Sequence, residues 1–235
     1  MYRDGLSFDS AAQSSTALKT VMNGVYGWMT FALFLSGLCS WLVGTTPNLA
    51  KNLLTGGVFW LFVIGEFALV FIISGLINKL SAAMATALFI AYAALNGVTL
   101  GVIFLLYTAS SIAVTFLVTA GTFCAMALLG SVTKLDLSKL GSILFMALIG
   151  LVIASIVNIF WANSTLYWIC TYAGVLIFTG LTAYDVQKIR QLCMNAENED
   201  FETTRKLSIL GALTLYLDFV NLMLYLLRIL GNRKN

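Results

Sequence analysis

The sequence predicts an all-α membrane protein with seven transmembrane helices, and three observations carry that reading. The 235 residues are 60% hydrophobic and 10% charged, where soluble domains average about 25% charged, and the mean hydropathy is +0.94. The apolar residues gather into seven runs, each near the roughly 20 residues a spanning helix needs. The runs are long and continuous, without the alternating polarity of the strands in a closed barrel, the other structure that satisfies its backbone in lipid.

The runs are Val21–Val43, Leu53–Ile77, Ser81–Tyr107, Ile112–Val132, Leu140–Ala162, Leu166–Val186 and Ile209–Leu230. Short links such as "TASSI" and "NST" make sequence neighbours antiparallel. The long connection, "QKIRQLCMNAENEDFETTRKLS", holds much of the soluble charge. No internal repeat stands out, so an inverted-repeat transporter has no support. Gly, Ala and Ser recur in segments such as "SAAMATALFIAYAALNG" and "GSILFMALIG". Lipid offers little hydrophobic drive between helices, and small residues allow the close packing that replaces it. The chain divides into a polar N-terminal arm at 1–20, a seven-helix domain at 21–230 and a basic tail at 231–235.

Lysine and arginine bias sets the topology. The arm and the 2–3, 4–5 and 6–7 connections carry Arg3, Lys19, Lys79, Lys134, Lys139, Lys188, Arg190, Arg205 and Lys206; the opposite side carries Lys51, Arg228, Arg233 and Lys234. This majority places the N-terminus in the cytoplasm. The basic tail "RILGNRKN" dissents. Either it is a tolerated exception, or the last segment does not fully cross.

Composition also narrows the chemistry. A net charge of +3, thinly scattered, argues against a nucleic-acid partner. The absence of histidine removes the common zinc ligand and the ordinary sensor of near-neutral pH. Cys39, Cys124, Cys170 and Cys193 lack the clustered spacing of a metal or disulfide framework and read as packing residues. The arm has no h-region of a cleavable signal peptide and reads as a short mobile tail. No cofactor is called for. The expected surroundings are the bilayer and, in one reading, other integral proteins.

Four ionisable residues fall in or beside the runs: Glu66, Asp185, Asp218 and Arg228. An aspartate at the centre of a spanning helix costs about 2.5–3.5 kcal/mol on insertion scales and normally faces the bundle interior or a watery cavity. Asp218 shares a stripe with Thr214, Asn221 and Tyr225 at helical spacing. Asp185 lies one turn from Thr182 near the end of the sixth run. Antiparallel sixth and seventh helices can bring the two carboxyl groups face to face. Burial and mutual repulsion then make them titrate as a unit, and ionised they offer oxygen to a hard cation such as Ca²⁺. The structural alternative is that the acids pin helices together, protonated or paired with a base. Glu66 either lines the same polar path, with Thr214 and Asn221, or hydrogen-bonds Asn96 or Asn158. Arg228, near a helix end, can snorkel.

At these residues the chain resembles the Bax inhibitor family, the transmembrane Bax-inhibitor-motif proteins, and most closely their proteobacterial inner-membrane members. The resemblance rests on "GLTAYDVQKIR" and "LGALTLYLDFVNLMLYLLRILG", with "NGVTLGVIF" and "FMALIGLVIASIVNIF" in support. It implies that the last helix is central and wrapped by the other six. It implies a pH-sensitive Ca²⁺ leak in which Asp185 and Asp218 form the sensor and Glu66 lies on the ion path. It also implies a basic latch on the sensor. The family's arginine is missing from "SGLINKLS", which leaves Lys79, Lys188 or Arg190 for that role; lysine offers a point charge where arginine offers a planar fork.

The functional expectation is a passive cation leak, for Ca²⁺, gated by protonation of the aspartate pair in a bacterial inner membrane. Two alternatives stand beside it. One is a regulatory membrane protein that binds a membrane protease or another integral protein through "NAENEDFETTRK" and the arm; the other is a proton-coupled cation exchanger. An enzyme is not expected, since the acids lack the sequence context of an intramembrane protease.

Overall fold

The computed structural model describes residues 3–54, 56–195 and 200–234, with the side chains of residues 18–53, 56–194 and 200–234. The side chains of the arm up to residue 17, and residues 196–199 in the middle of the acidic 6–7 connection, lie outside the described residues. Eight helices follow one another: α1 (Arg3–Thr45), α2 (Pro47–Leu54), α3 (Gly56–Leu76), α4 (Ala82–Leu106), α5 (Ala109–Val132), α6 (Ser138–Trp161), α7 (Ser164–Asn195) and α8 (Phe201–Leu230). All but α2 are long and apolar enough to cross a membrane, and they match the seven runs in order. α1, from Arg3 to Thr45, contains the whole of the first run.

The differences lie at the ends. α7 continues past Val186 to Asn195 and α8 begins at Phe201, well before Ile209. Polar residues can prolong a helix beyond the hydrocarbon, so hydropathy marks where the lipid ends and not where the helix does. Asp200 starts α8, its Oδ1 accepting the Thr203 amide at 2.9 Å. α2 had no counterpart in the reading of apolar runs. Proline fits the first position of a helix, and the Ala50 amide donates to the Thr46 carbonyl at 2.9 Å. At the break before α3, Gly56 has φ +67°, a conformation that costs glycine little.

The chain forms two compact units, one of Met1–Leu105 with Ile189–Thr214, the other of Leu106–Lys188 with Leu215–Asn235. In the first unit α1 packs on α4 through glycine and hydroxyl contacts. Ser36 Oγ donates to the Ala93 carbonyl at 2.7 Å, and a side chain on Gly97 would strike Ser36. Glu202, in the first turn of α8, accepts the Ala82 amide at the start of α4 at 3.3 Å.

The second unit is built around α7 and the later part of α8. A side chain at Gly130 of α5 would run into the Ala183 backbone of α7, and one at Gly141 of α6 into the Tyr184 ring. Phe219 of α8 meets Phe116 and Phe123 of α5 at steep ring angles, with centroids 5.5 and 5.6 Å away. Tyr216, Leu222 and Leu227 are fully buried. By contrast α3 and α6 present large apolar side chains outward, Phe71 and Phe160 among them. Such faces belong against lipid.

The tail answers the topological question that its charges raised. α8 is one unbroken helix, so the last segment does cross. Beyond it the Thr108 amide donates to the Asn232 carbonyl at 3.1 Å, and the Lys234 amide to the Leu106 carbonyl at 2.9 Å. The tail is therefore tied to the start of α5, at the end of this unit away from the 133–137 turn.

Ala162, which ends α6, has φ +45° and ψ +41° and is the one non-glycine residue with positive φ among those described. Left-handed backbone costs an L-residue about 1–2 kcal/mol. Ala162→Gly is expected to raise stability by about 0.5–1 kcal/mol, the gain reduced by glycine's greater freedom in the unfolded chain. Thermal unfolding of the detergent-solubilised protein measures it; a lower midpoint contradicts the expectation.

Candidate functional site

Asp185 and Asp218 both belong to the second unit. α7 carries Asp185, half-buried, and α8 carries Asp218, only 4% exposed. A hydrogen bond joins their side chains. Two ionised carboxylates can only accept, so such a contact requires a proton on one of them. Oδ2 of Asp218 is buried and has no donor group as a partner. An unpartnered buried polar atom costs about 1–3 kcal/mol, which is unusual for a group this deep.

The neighbouring polar residues on α8 do not relieve it. Thr214 Oγ1 donates to the Leu210 carbonyl at 3.0 Å, and Asn221 Nδ2 to the Leu217 carbonyl at 2.8 Å. Thr182 of α7 likewise donates to Phe178 at 2.8 Å. Each turns a donor back onto its own helix and leaves the two acids to one another.

The three candidate bases are placed differently. Lys188, one turn beyond Asp185, acts on it electrostatically while its ammonium sits over the Tyr184 ring, 5.7 Å from the centroid. Lys79, exposed, and Arg190, half-buried, belong to the first unit. So does Glu66. Its Oε2 accepts from Asn96 Nδ2 at 3.1 Å and its Oε1 from Thr99 Oγ1 at 2.5 Å. Of the two asparagines considered for Glu66, Asn96 is the partner. Asn158 Oδ1 instead accepts the Asn163 amide at 2.9 Å.

Gln187 and Gly130, near Asp185, escaped the sequence reading, while Gly141 lies in the segment it marked for close packing. Gln187, 8% exposed, uses both ends of its amide. Oε1 accepts the Leu137 amide at 2.9 Å and Nε2 donates to the Leu135 carbonyl at 2.8 Å. This fork fastens the turn between α5 and α6 to α7 two residues from Asp185. Gly130 and Gly141 let α5 and α6 close on Ala183 and Tyr184 in the same stretch. A neutral amide and two glycines look like ordinary packing in a sequence. The available hint was that Gln187 follows an intramembrane acid.

No group of three or more metal-ligating side chains occurs among the described residues. Ca²⁺ takes six to eight oxygens, and the aspartates supply four.

Seven spanning helices with a buried acid pair define a multi-pass helical membrane protein, and its relatives say which kind. Residues 18–235 match the family described as "Inhibitor of apoptosis-promoting Bax1". The chain is 51% identical to "Inner membrane protein YbhL" of Escherichia coli (strain K12), over 96% of this chain and 97% of that one. It is 44% identical to a protein of Borreliella burgdorferi, over 90% and 91% of the two chains, and 40% identical to one of Rickettsia prowazekii, over 93% and 92%. The chain belongs to the Bax inhibitor family and is a multi-pass protein of the bacterial inner membrane.

Two outcomes test this local geometry. Gln187→Met, similar in size but unable to bond, strands the Leu137 amide and the Leu135 carbonyl. It is expected to destabilise the protein by about 1–3 kcal/mol, read as a lower unfolding midpoint; an unchanged midpoint means the fork contributes nothing. In the same turn Asp136 Oδ1 accepts the Ser138 amide at 2.9 Å. Bonds from the Ser138 side chain and amide hold the Asp136 carboxyl below its ordinary range. A depressed carboxylate stabilises above its unfolded pKa. Protection of the Ser138 amide from hydrogen exchange should therefore hold from neutral pH through the usual carboxylate range. It should fall as pH drops through the lowered value, and Asp136→Asn should weaken it even at neutral pH.

Proposed function

We propose that this protein is a pH-sensitive cation leak, with Ca²⁺ as the permeant ion and the Asp185–Asp218 pair as the proton-responsive element. The observation that carries the reading is the hydrogen bond between two intramembrane carboxyl groups, one of them almost fully buried. Such a contact exists while a proton is shared. Losing that proton sets two negative charges against each other, so the helices must part or a cation must come between them. Either response links protonation to the state of a path. A one-unit pKa difference between two conformations biases them by about tenfold, enough to gate a leak.

Lys188 is the base best placed to act on the ionised pair, since it already attracts Asp185. Glu66, held by Asn96 and Thr99, is proposed as a second carboxylate on the path. The central place of α8 belongs to the same reading. In its support, 61% of the most apolar stretch of α8 is buried, against 6% for α3 and α6. Membership of the family, reached by resemblance and by comparison, supports the reading without assigning an ion.

The test is Ca²⁺ flux in proteoliposomes from pH 5 to 8, with wild type beside Asp185→Asn and Asp218→Asn. Wild-type flux is expected to depend on pH, and Asp218→Asn to flatten that dependence. An Asp218→Asn protein with unchanged flux and pH profile rules out the sensor. Uphill transport driven by a pH gradient would instead identify an exchanger.

A further inference from the structure

At the opposite end of the second unit stands a charge that the leak reading does not use. Arg228 lies in the last turn of α8, half-buried. Its guanidinium sits over the Tyr225 ring at 4.9 Å and the Tyr167 ring at 5.5 Å, inside the roughly 6 Å range of a cation–π contact. Tyr167 also hydrogen-bonds Arg233, which binds Tyr107 as well. Two arginines thus converge on one tyrosine, and among the described residues neither is paired with an acid. A tyrosine face holds a cation without neutralising it, so the positive charge of Arg228 remains in the field of the unit.

Arg228 also extends the polar stripe of α8. At about 100° per residue, Thr214, Asp218, Asn221, Tyr225 and Arg228 fall within an arc of about 80°, and Arg228 stands about 15 Å along the axis from Asp218. One face of one helix therefore carries a carboxyl group at mid-span and a fixed positive charge at its end. A residue that only snorkels would carry its charge away to the headgroups. This one is held in place by rings from α7 and α8.

We propose that Arg228 is a specificity-determining residue, a fixed positive charge that slows cations along this face and slows divalent ions more than monovalent ones. The inference rests on the leak reading. It adds that the path has an electrostatic brake at the end away from Asp185, set apart from the element that responds to protons. Removing a point charge changes the barrier in proportion to the valence of the ion. The logarithm of the effect on Ca²⁺ should therefore be twice that on K⁺.

The experiment measures Ca²⁺ and K⁺ efflux from proteoliposomes at one pH for wild type, Arg228→Lys, Arg228→Gln and Arg228→Met. Met keeps a long apolar stem against the rings and serves if the Gln protein does not reconstitute. For either charge-free variant, removing a charge about 15 Å from the ion at an effective dielectric near 20 predicts a rise of about sixfold for K⁺ and about 40-fold for Ca²⁺. Arg228→Lys should behave like wild type. Equal rises for both ions indicate loosened packing and overturn the proposal, as does no change in either. Wild-type vesicles that leak Ca²⁺ no faster than empty ones defeat the leak reading itself, and the brake with it.

Discussion

In the hydrocarbon of a membrane every polar group must find its partner inside the protein, and this chain follows that constraint almost to the atom. The backbone closes its bonds within helices. The hydroxyls do the same on a smaller scale: Thr86, Thr119, Thr122, Thr171, Thr182 and Thr214 each donate to the carbonyl four residues back. Against this background the Asp185–Asp218 contact is a different kind of arrangement. It joins two helices, it depends on a proton, and it leaves Asp218 Oδ2 buried with no donor group as a partner. Among the described residues Thr115 Oγ1 and Ser155 Oγ are also buried without a partner, but a hydroxyl there stays neutral, whereas a carboxyl group can change its charge.

Glu66 and the Asp185–Asp218 pair have contrasting surroundings. Glu66 is met by two neutral donors, and its place on α3 is satisfied without a second acid. Asp185 and Asp218 have mainly each other, with Lys188 one turn away. Close backbone approach at Gly130 and Gly141 and the Gln187 fork give the Asp185 stretch of α7 a rigid seat. A proton gained or lost at a rigid seat is felt as strain between helices, where a loose seat would absorb it.

Much of this was legible in the sequence, for a physical reason. Spanning helices are recorded as uninterrupted apolar runs, and an acid inside one stands out because burying it is costly. Thus the seven helices and the aspartate positions could be read directly, and antiparallel neighbours made the contact between Asp185 and Asp218 a geometric expectation. The roles of those residues remain a proposal. What escaped is what hydropathy does not encode. The eight-residue α2 is too short to mark itself as a run. Gln187 carries no charge, and its function as a fork depends on a turn fifty residues earlier. The bonds of the basic tail could not be read either, because they are made by backbone groups to residues more than a hundred positions earlier.

The tail has a consequence for how the protein is made. The second unit starts at Leu106 and ends with the last residues of the chain. The Leu106 carbonyl and the Thr108 amide at its start take their partners from Lys234 and Asn232. The Asn232 amide in turn donates to Ser111 Oγ at 2.9 Å. These first residues enter the membrane more than a hundred residues ahead of their partners. The unit therefore cannot close at that end before Asn232 and Lys234 have been made.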